Sequence, residues 1–229
     1  MMLSRLITIV FLAAPALAQT VDPVIVQYQG KAEGKITLTN STLAPLVVVV
    51  EPMSFSIDPD GRAEFRHLDS NIHLELSTMS VTLAPRQSAY VFYKVSSERL
   101  PAWFTIYSTF SAPKHGAGID LRIMLPHTVY LYQKEHLNPA AVHIGDVVYH
   151  PDSGKIVCDL ENGSTNLGRI QQVDAAFTRG SKEEAGGFPL LPGSPRHLEM
   201  DWKEKNLPES LVFHFDHFTV RRPIIPSDK

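Results

Sequence analysis

The sequence has a single cysteine, Cys158, in 229 residues, which rules out an intrachain disulfide. A chain without bridges must be held together by a buried core. Cys158 alternates with Ile156 and Leu160 in KIVCDL, so it reads as a buried, inert thiol. Helical patterning is equally scarce. No window of twelve residues keeps apolar side chains at i, i+3, i+4 and i+7 without a proline or glycine breaking it. Excess basic charge is missing too: 21 Lys and Arg face 24 Asp and Glu, which argues against a nucleic-acid partner. No apolar run reaches the roughly 18 residues that cross a bilayer, so the chain is not expected to be membrane-embedded. Catalytic signatures are absent as well. There is no G-x-S-x-G elbow, no H-E-x-x-H or C-x-x-C spacing and no glycine-rich phosphate loop leading into a helix. The expectation is a non-enzyme, with no catalytic residue and no cofactor.

Ten histidines raise the question of metal, and HFDH, His214 to His217, is their densest cluster. On a strand His214 and Asp216 share a face while His217 points away, so the run offers at most two ligands where zinc needs three or four. No metal site is expected. The carboxylate pairs Glu183-Glu184 and Asp58-Pro59-Asp60 read as solvated or turn-forming residues of loops.

What is present begins with an export signal. Met1 to Arg5 carries one positive charge, Leu6 to Ala14 is apolar apart from Thr8, and Ala16-Leu17-Ala18 fits the small-x-small cleavage rule. Residues 1–18 are therefore expected to be a signal peptide and the mature chain to start at Gln19, exported and soluble.

Beyond it, short β-type runs follow one another, separated by turn residues such as Asp60-Gly61, Asp152-Ser153-Gly154 and Pro192-Gly193. Strands are expected near 24–28, 35–40, 46–51, 55–57, 73–76, 80–83, 89–95, 103–110 and 119–131. A second series follows near 142–149, 155–162, 169–178, 197–201 and 211–220. An echo divides the chain. GKITLTN (Gly34 to Asn40) recurs as GKIVCDLEN (Gly154 to Asn162), and VTLAPRQSAYV (Val81 to Val91) as FPLLPGSPRHL (Phe188 to Leu198). Leu100-Pro101 lies sixteen residues after Pro85, and Leu207-Pro208 sixteen after Pro192. These ordered correspondences suggest two related β-sandwiches, at 19–134 and 138–229.

One stretch outruns the rest. In IDLRIMLPHTVYLY, Ile119, Leu121, Ile123, Leu125, His127, Val129 and Leu131 share one side of an extended chain. Fourteen residues would span roughly 46 Å, more than twice a common strand. Either its apolar face packs on its own core, with Pro126 ending one strand and starting another, or part of it is left over for a partner.

GKITLTNSTLAPLVVVV, VTLAPRQSAYVFYKV and the hairpin AWFTIYSTFSAPKHGAGIDLRIMLPHTVYLY resemble the periplasmic pilus-assembly chaperones of the PapD-like family. The resemblance implies an all-β fold class: two immunoglobulin-like β-sandwich domains in tandem after a signal peptide. It also implies a chaperone that lends an edge strand to an incomplete pilus or fimbrial subunit, backbone ladder bonds giving affinity and alternate side chains specificity. The partners implied are secreted, strand-deficient subunits and an outer-membrane usher. The lent residues would be Ile119, Leu121, Ile123 and Leu125, with Pro126 tolerated on an edge. The family's basic residues, one in the first strand and one late in the long strand, grip the subunit's terminal carboxylate. Here VDPVIVQYQ has no Lys or Arg and 128–130 are uncharged, so Lys94 and Arg122 are the candidate charge contacts, with His127 as a third. The alternative is an exported structural or adhesive module whose loops bind a protein.

Overall fold

The computed structural model describes residues 19–112, 121–204 and 206–227. The expected signal peptide and Ile119 lie outside them. Eighteen strands run in chain order: β1 (Thr20–Asp22), β2 (Ile25–Gln29), β3 (Ala32–Thr39), β4 (Leu46–Ile57), β5 (Ala63–His67), β6 (Ile72–Leu76), β7 (Ser80–Leu83), β8 (Ser88–Ser97), β9 (Ala102–Ser111), β10 (Arg122–Tyr132), β11 (Val142–Ile144), β12 (Val147–His150), β13 (Lys155–Asn162), β14 (Gly168–Ala176), β15 (Ser181–Leu190), β16 (Arg196–Asp201), β17 (Ser210–Phe215) and β18 (Thr219–Pro226). The only helical element among the described residues is a 3-10 turn at Pro139–Ala141. The fold is all-β, as the broken helical periodicity requires.

The strands up to Tyr132 form two sheets, β1-β3-β8-β6 and β2-β10-β9-β4-β5, with β7 also on β4. Their inward faces supply one core. Ile36 and Leu38 of β3 and Val91 of β8 meet Val48 and Val50 of β4, Phe104 and Ile106 of β9 and Val129 and Leu131 of β10, all fully buried. The strict alternation along β3 is what a strand with one wet face demands. From Val142 onward the strands form a second sandwich, hydrogen-bonded as β11-β13-β12-β18-β17-β14-β15, with β16 on β13.

The sequence echo falls on equivalent corners. Asn40 ends β3 fully buried and donates its amide to the carbonyls of Ala44 and Ala84, while its Oδ1 accepts from the N–H and hydroxyl of Thr42. Asn162 ends β13, equally buried. It donates to Asn166 and Leu190 and accepts from the N–H and hydroxyl of Ser164. Each asparagine replaces the backbone bonds lost where the chain leaves its sheet. The turns that follow Leu83 and Leu190 also match, because Arg86 (φ 57°) and Gly193 (φ 63°) occupy the same left-handed position after a proline.

Several expected boundaries shift. The runs 46–51 and 55–57 are one strand, β4, which pairs across Pro52, while 142–149 divides into β11 and β12. The expected strand 211–220 divides into β17 and β18, with Asp216 and His217 of the HFDH run in the bend between them, and β1, β5, β15 and most of β18 went unforeseen. All five residues of β5 are exposed, so it carries no period-two signal, and SKEEAGGFPL of β15 is polar and glycine-bearing. Glu183 and Glu184, expected in a loop, therefore stand in β15, where Glu183 pairs with Asp174 and Glu184 falls at the register shift.

The sandwiches touch through a small apolar cluster of Phe55, Tyr130, Leu167 and Leu191. Beside it Gln133 acts as a side-chain bridge, donating to the Leu167 carbonyl at 3.2 Å and accepting from the Leu167 N–H at 3.1 Å. The β4–β5 turn adds a second contact, with the His197 N–H donating to the Pro59 carbonyl at 2.7 Å. Gly61 (φ 87°) in that turn lies flat against the Arg196 guanidinium, where a Cβ would collide.

Candidate functional site

β10 is paired unevenly. On one side it is bonded to β9 from Arg122 to Leu131; on the other, β2 runs parallel to it only from Thr128 to Tyr132. No strand among the described residues pairs with the outer edge of Ile123–His127. The Thr128 N–H donates outward to the Val24 carbonyl at 2.7 Å, and the Tyr132 carbonyl accepts from Gly30 on the same side. Backbone direction alternates along a strand, so the Met124 N–H and carbonyl and the Pro126 carbonyl also point outward. Pro126 lacks only an outward N–H and leaves the ladder to β9 intact.

The side chains on this segment divide by depth. Leu121, just before β10, is 66% exposed, and Met124 is 57% exposed. Ile123 and Leu125 are half-buried and pack against the core of their own sandwich. His127, Val129 and Leu131 then disappear into that core. The apolar face is thus neither sealed nor wholly lent, and its cover thins toward the start of the strand.

Lys94 and Arg122 are not brought together. Lys94 stands exposed on β8, in the opposite sheet, paired with Glu33 at 3.0 Å. Arg122 opens β10, opposite Ser111. His127 is fully buried. Its Nδ1 lies 2.5 Å from the Pro23 carbonyl, and its Nε2 lies 3.1 Å from the Tyr93 hydroxyl. Burial lowers its pKa, the Pro23 bond opposing. The imidazole is neutral, with Nδ1 donating to the carbonyl and Nε2 accepting from Tyr93.

A cleft of about 270 Å³ lies between the sandwiches and holds a cation that the sequence pattern did not single out, Arg169 of β14. Gln27 and Gln29 of β2, Tyr132 of β10 and His217 share its wall. The Tyr132 hydroxyl is buried without a hydrogen-bond partner among the described residues, and burial pushes its pKa up to about 12. Arg169 was hidden because it comes from the second sandwich, which nothing local in GRIQQV connects to the first.

The histidine cluster disperses. His214 bonds Asp174 at 3.0 Å, Asp216 accepts from Gln171, and His217 meets the His136 ring, 3.9 Å between centroids. The Cys158 thiol is buried and pushed up to about 12 by desolvation, which leaves little thiolate at neutral pH.

No protein-family model matches the chain, and no curated protein matches its sequence. Solved structures do match its fold. The class 5 fimbriae chaperone CfaA is 9% identical, covering 92% of this chain and 100% of its own, with a TM-score of 0.53. A Salmonella enterica structure of the SafA pilin in complex with the SafB chaperone matches at 12% identity over 92% of this chain and 98% of the matched one, TM-score 0.55. The CsuC-CsuE chaperone–tip subunit pre-assembly complex of Acinetobacter baumannii matches at 12% identity over 92% and 100%, TM-score 0.51. This chain has the two-sandwich fold of those chaperone structures.

Proposed function

We propose that this protein is an exported chaperone that holds a strand-deficient, pilus-type subunit by pairing the outer edge of β10 with the subunit's backbone. The observation that carries the reading is the half-paired strand: a run with no β-partner on its outer edge among the described residues, next to the stretch of the same edge that β2 covers. Leu121, Ile123 and Leu125 are the donor side chains, with Ile119 outside the described residues. Their contribution is smaller than that of wholly exposed donors, because Ile123 and Leu125 already pack on their own core. Together these three are worth about 2 to 5 kcal/mol before association costs.

The second sandwich supplies an internal comparison. β18 is built the same way. Thr219 to Pro223 pair only with β17, and Ile224 to Pro226 are covered by parallel β12. Its open half carries Arg221, Arg222 and Pro223, the charges and proline that blunt an edge against association. Counted back from the first covered residue, Arg221, Arg222 and Pro223 correspond to Leu125, Pro126 and His127 of β10. Both open halves carry a proline, but beside it β18 has two arginines where β10 has Leu125 and a buried imidazole, which favours β10 as the donor.

Arg169 in the cleft is the proposed anchor for the subunit's terminal carboxylate, in place of the missing basic residues of β2 and late β10; Lys94 and Arg122 lie at the periphery of the proposed contact. The periplasm is the compartment, through the signal peptide at 1–18, and an outer-membrane usher is the proposed downstream partner. The division into sandwiches is placed at 19–134 and 138–229.

Leu121→Asp tests the reading, because its exposure lets the substitution spare the chaperone's own fold while burying an unpaired charge in a partner groove. Co-expression with a pilus-type subunit should lose the copurified subunit. An unchanged yield would remove Leu121 from the contact and strand donation with it.

A further inference from the structure

The open edge of β10 ends at a built obstacle. At Pro23 the chain crosses from β1, in one sheet, to β2, in the other. The crossing is held from beneath by a buried polar chain. The Tyr28 hydroxyl lies 3.1 Å from the Tyr93 hydroxyl, which lies 3.1 Å from His127 Nε2, and His127 Nδ1 holds the Pro23 carbonyl. With the imidazole neutral, the protons run in one direction: Tyr28 to Tyr93, Tyr93 to His127, His127 to Pro23. Gly34 makes room for it, since a Cβ there would collide with the Tyr93 ring and hydroxyl. One residue further, the Thr128 N–H is already taken by the Val24 carbonyl.

Two prolines meet at this junction. Pro126 has no N–H to offer from β10 and Pro23 none from the crossing chain. The one acceptor of the crossing chain that could drift toward the edge, the Pro23 carbonyl, is turned inward by His127. Resting on the strand-addition reading above, we propose that His127, by holding the Pro23 carbonyl, is the stop that ends strand addition at Pro126 and so fixes the register of the added strand. The ligand class is an extended peptide backbone that bonds the Met124 N–H and carbonyl and the Pro126 carbonyl and makes no ladder bond beyond them; a subunit's last residues leave the edge there on their way to Arg169. Ile123 and Leu125 then face fixed positions of the partner. A slip of one residue toward Thr128, which would turn every partner side chain to the other face, is blocked at the crossing.

The test is residue-resolved amide hydrogen exchange on the full chain, free and with a saturating N-acetylated decapeptide of alternating valine and threonine. His127→Asn keeps an amide donor near the Nδ1 position, so Thr128 should exchange within a few-fold of wild type. His127→Gln places its amide toward Tyr93 and releases Pro23, so Thr128 should exchange on the order of 10-fold faster or more. Inserting two glycines between Asp22 and Pro23 slackens the link to β1 but leaves the His127–Pro23 bond in place, so this variant should behave as wild type. With peptide, wild type and the insertion variant should gain protection at Met124 and none at Thr128, whereas His127→Gln should gain it at both. Met124 protection with Thr128 unaltered in His127→Gln, or Thr128 protection gained in the insertion variant, overturns His127 as the stop and leaves strand addition standing. No protection at Met124 in any variant overturns strand addition, and the stop with it.

Discussion

Met124→Pro separates backbone pairing from every other way in which β10 could bind. The Met124 N–H points outward, away from β9, so its removal costs the free protein no ladder bond. Pro126 shows that the same strand accepts proline two positions on, and the residue before a proline prefers the extended conformation that Ile123 already has. The cost to the free fold should stay within about 1 kcal/mol. In the complex the change deletes one N–H···O bond, a net loss of about 0.5 to 1.5 kcal/mol, and strands a buried partner carbonyl at about 1 to 3 kcal/mol more. A combined loss of about 2 to 4 kcal/mol weakens binding roughly 30- to 700-fold. Met124→Ala is the control, because it removes the half-exposed side chain and keeps the amide; it should change affinity only a few-fold. Ile123→Pro is the opposite control. Its N–H faces β9, so it should destabilise the free protein by about 3 kcal/mol. Titration calorimetry with a purified subunit, alongside thermal unfolding of each variant, reads all three. Equal affinities for Met124→Pro and Met124→Ala would refute backbone pairing at this edge.

Asn40→Ala and Asn162→Ala should each cost about 3 kcal/mol in denaturant unfolding, because each removes a fully buried side chain that satisfies several backbone groups; losses below about 1 kcal/mol would mean that the matched corners are ornamental. His127 gives a pH signature. Its folded pKa lies below that of the unfolded chain, so the unfolded state binds the extra proton and stability falls as pH drops below about 6.5. Midpoints measured between pH 7 and 5 should show this slope in wild type and a weaker one in His127→Asn.

Much of this was legible in the sequence, for identifiable reasons. Alternation located most strands because each sandwich has one wet and one buried face, and the repeat of GKITLTN as GKIVCDLEN marked two equivalent asparagine corners. β5 was illegible because it is an exposed edge strand held by pairing with β4, and β15 because its apolar residues, Ala185, Phe188 and Leu190, begin only after a polar SKEE start. The long run from Ile119 could be read as sealed or lent. The structure divides it residue by residue, because the cover from β2 begins only at Thr128. Arg169 lies 37, 140 and 142 positions from Tyr132, Gln29 and Gln27 across the cleft, and His127 lies 104 from Pro23; no local pattern encodes contacts of such separation.

The most direct measurement is the exchange rate of the Met124 amide in the purified complex with a subunit, against the free protein. Pairing along β10 predicts slowing of on the order of 100-fold or more, with Thr128 already slow in both states. An intact complex in which Met124 exchanges as fast as it does alone would place the partner elsewhere on the molecule.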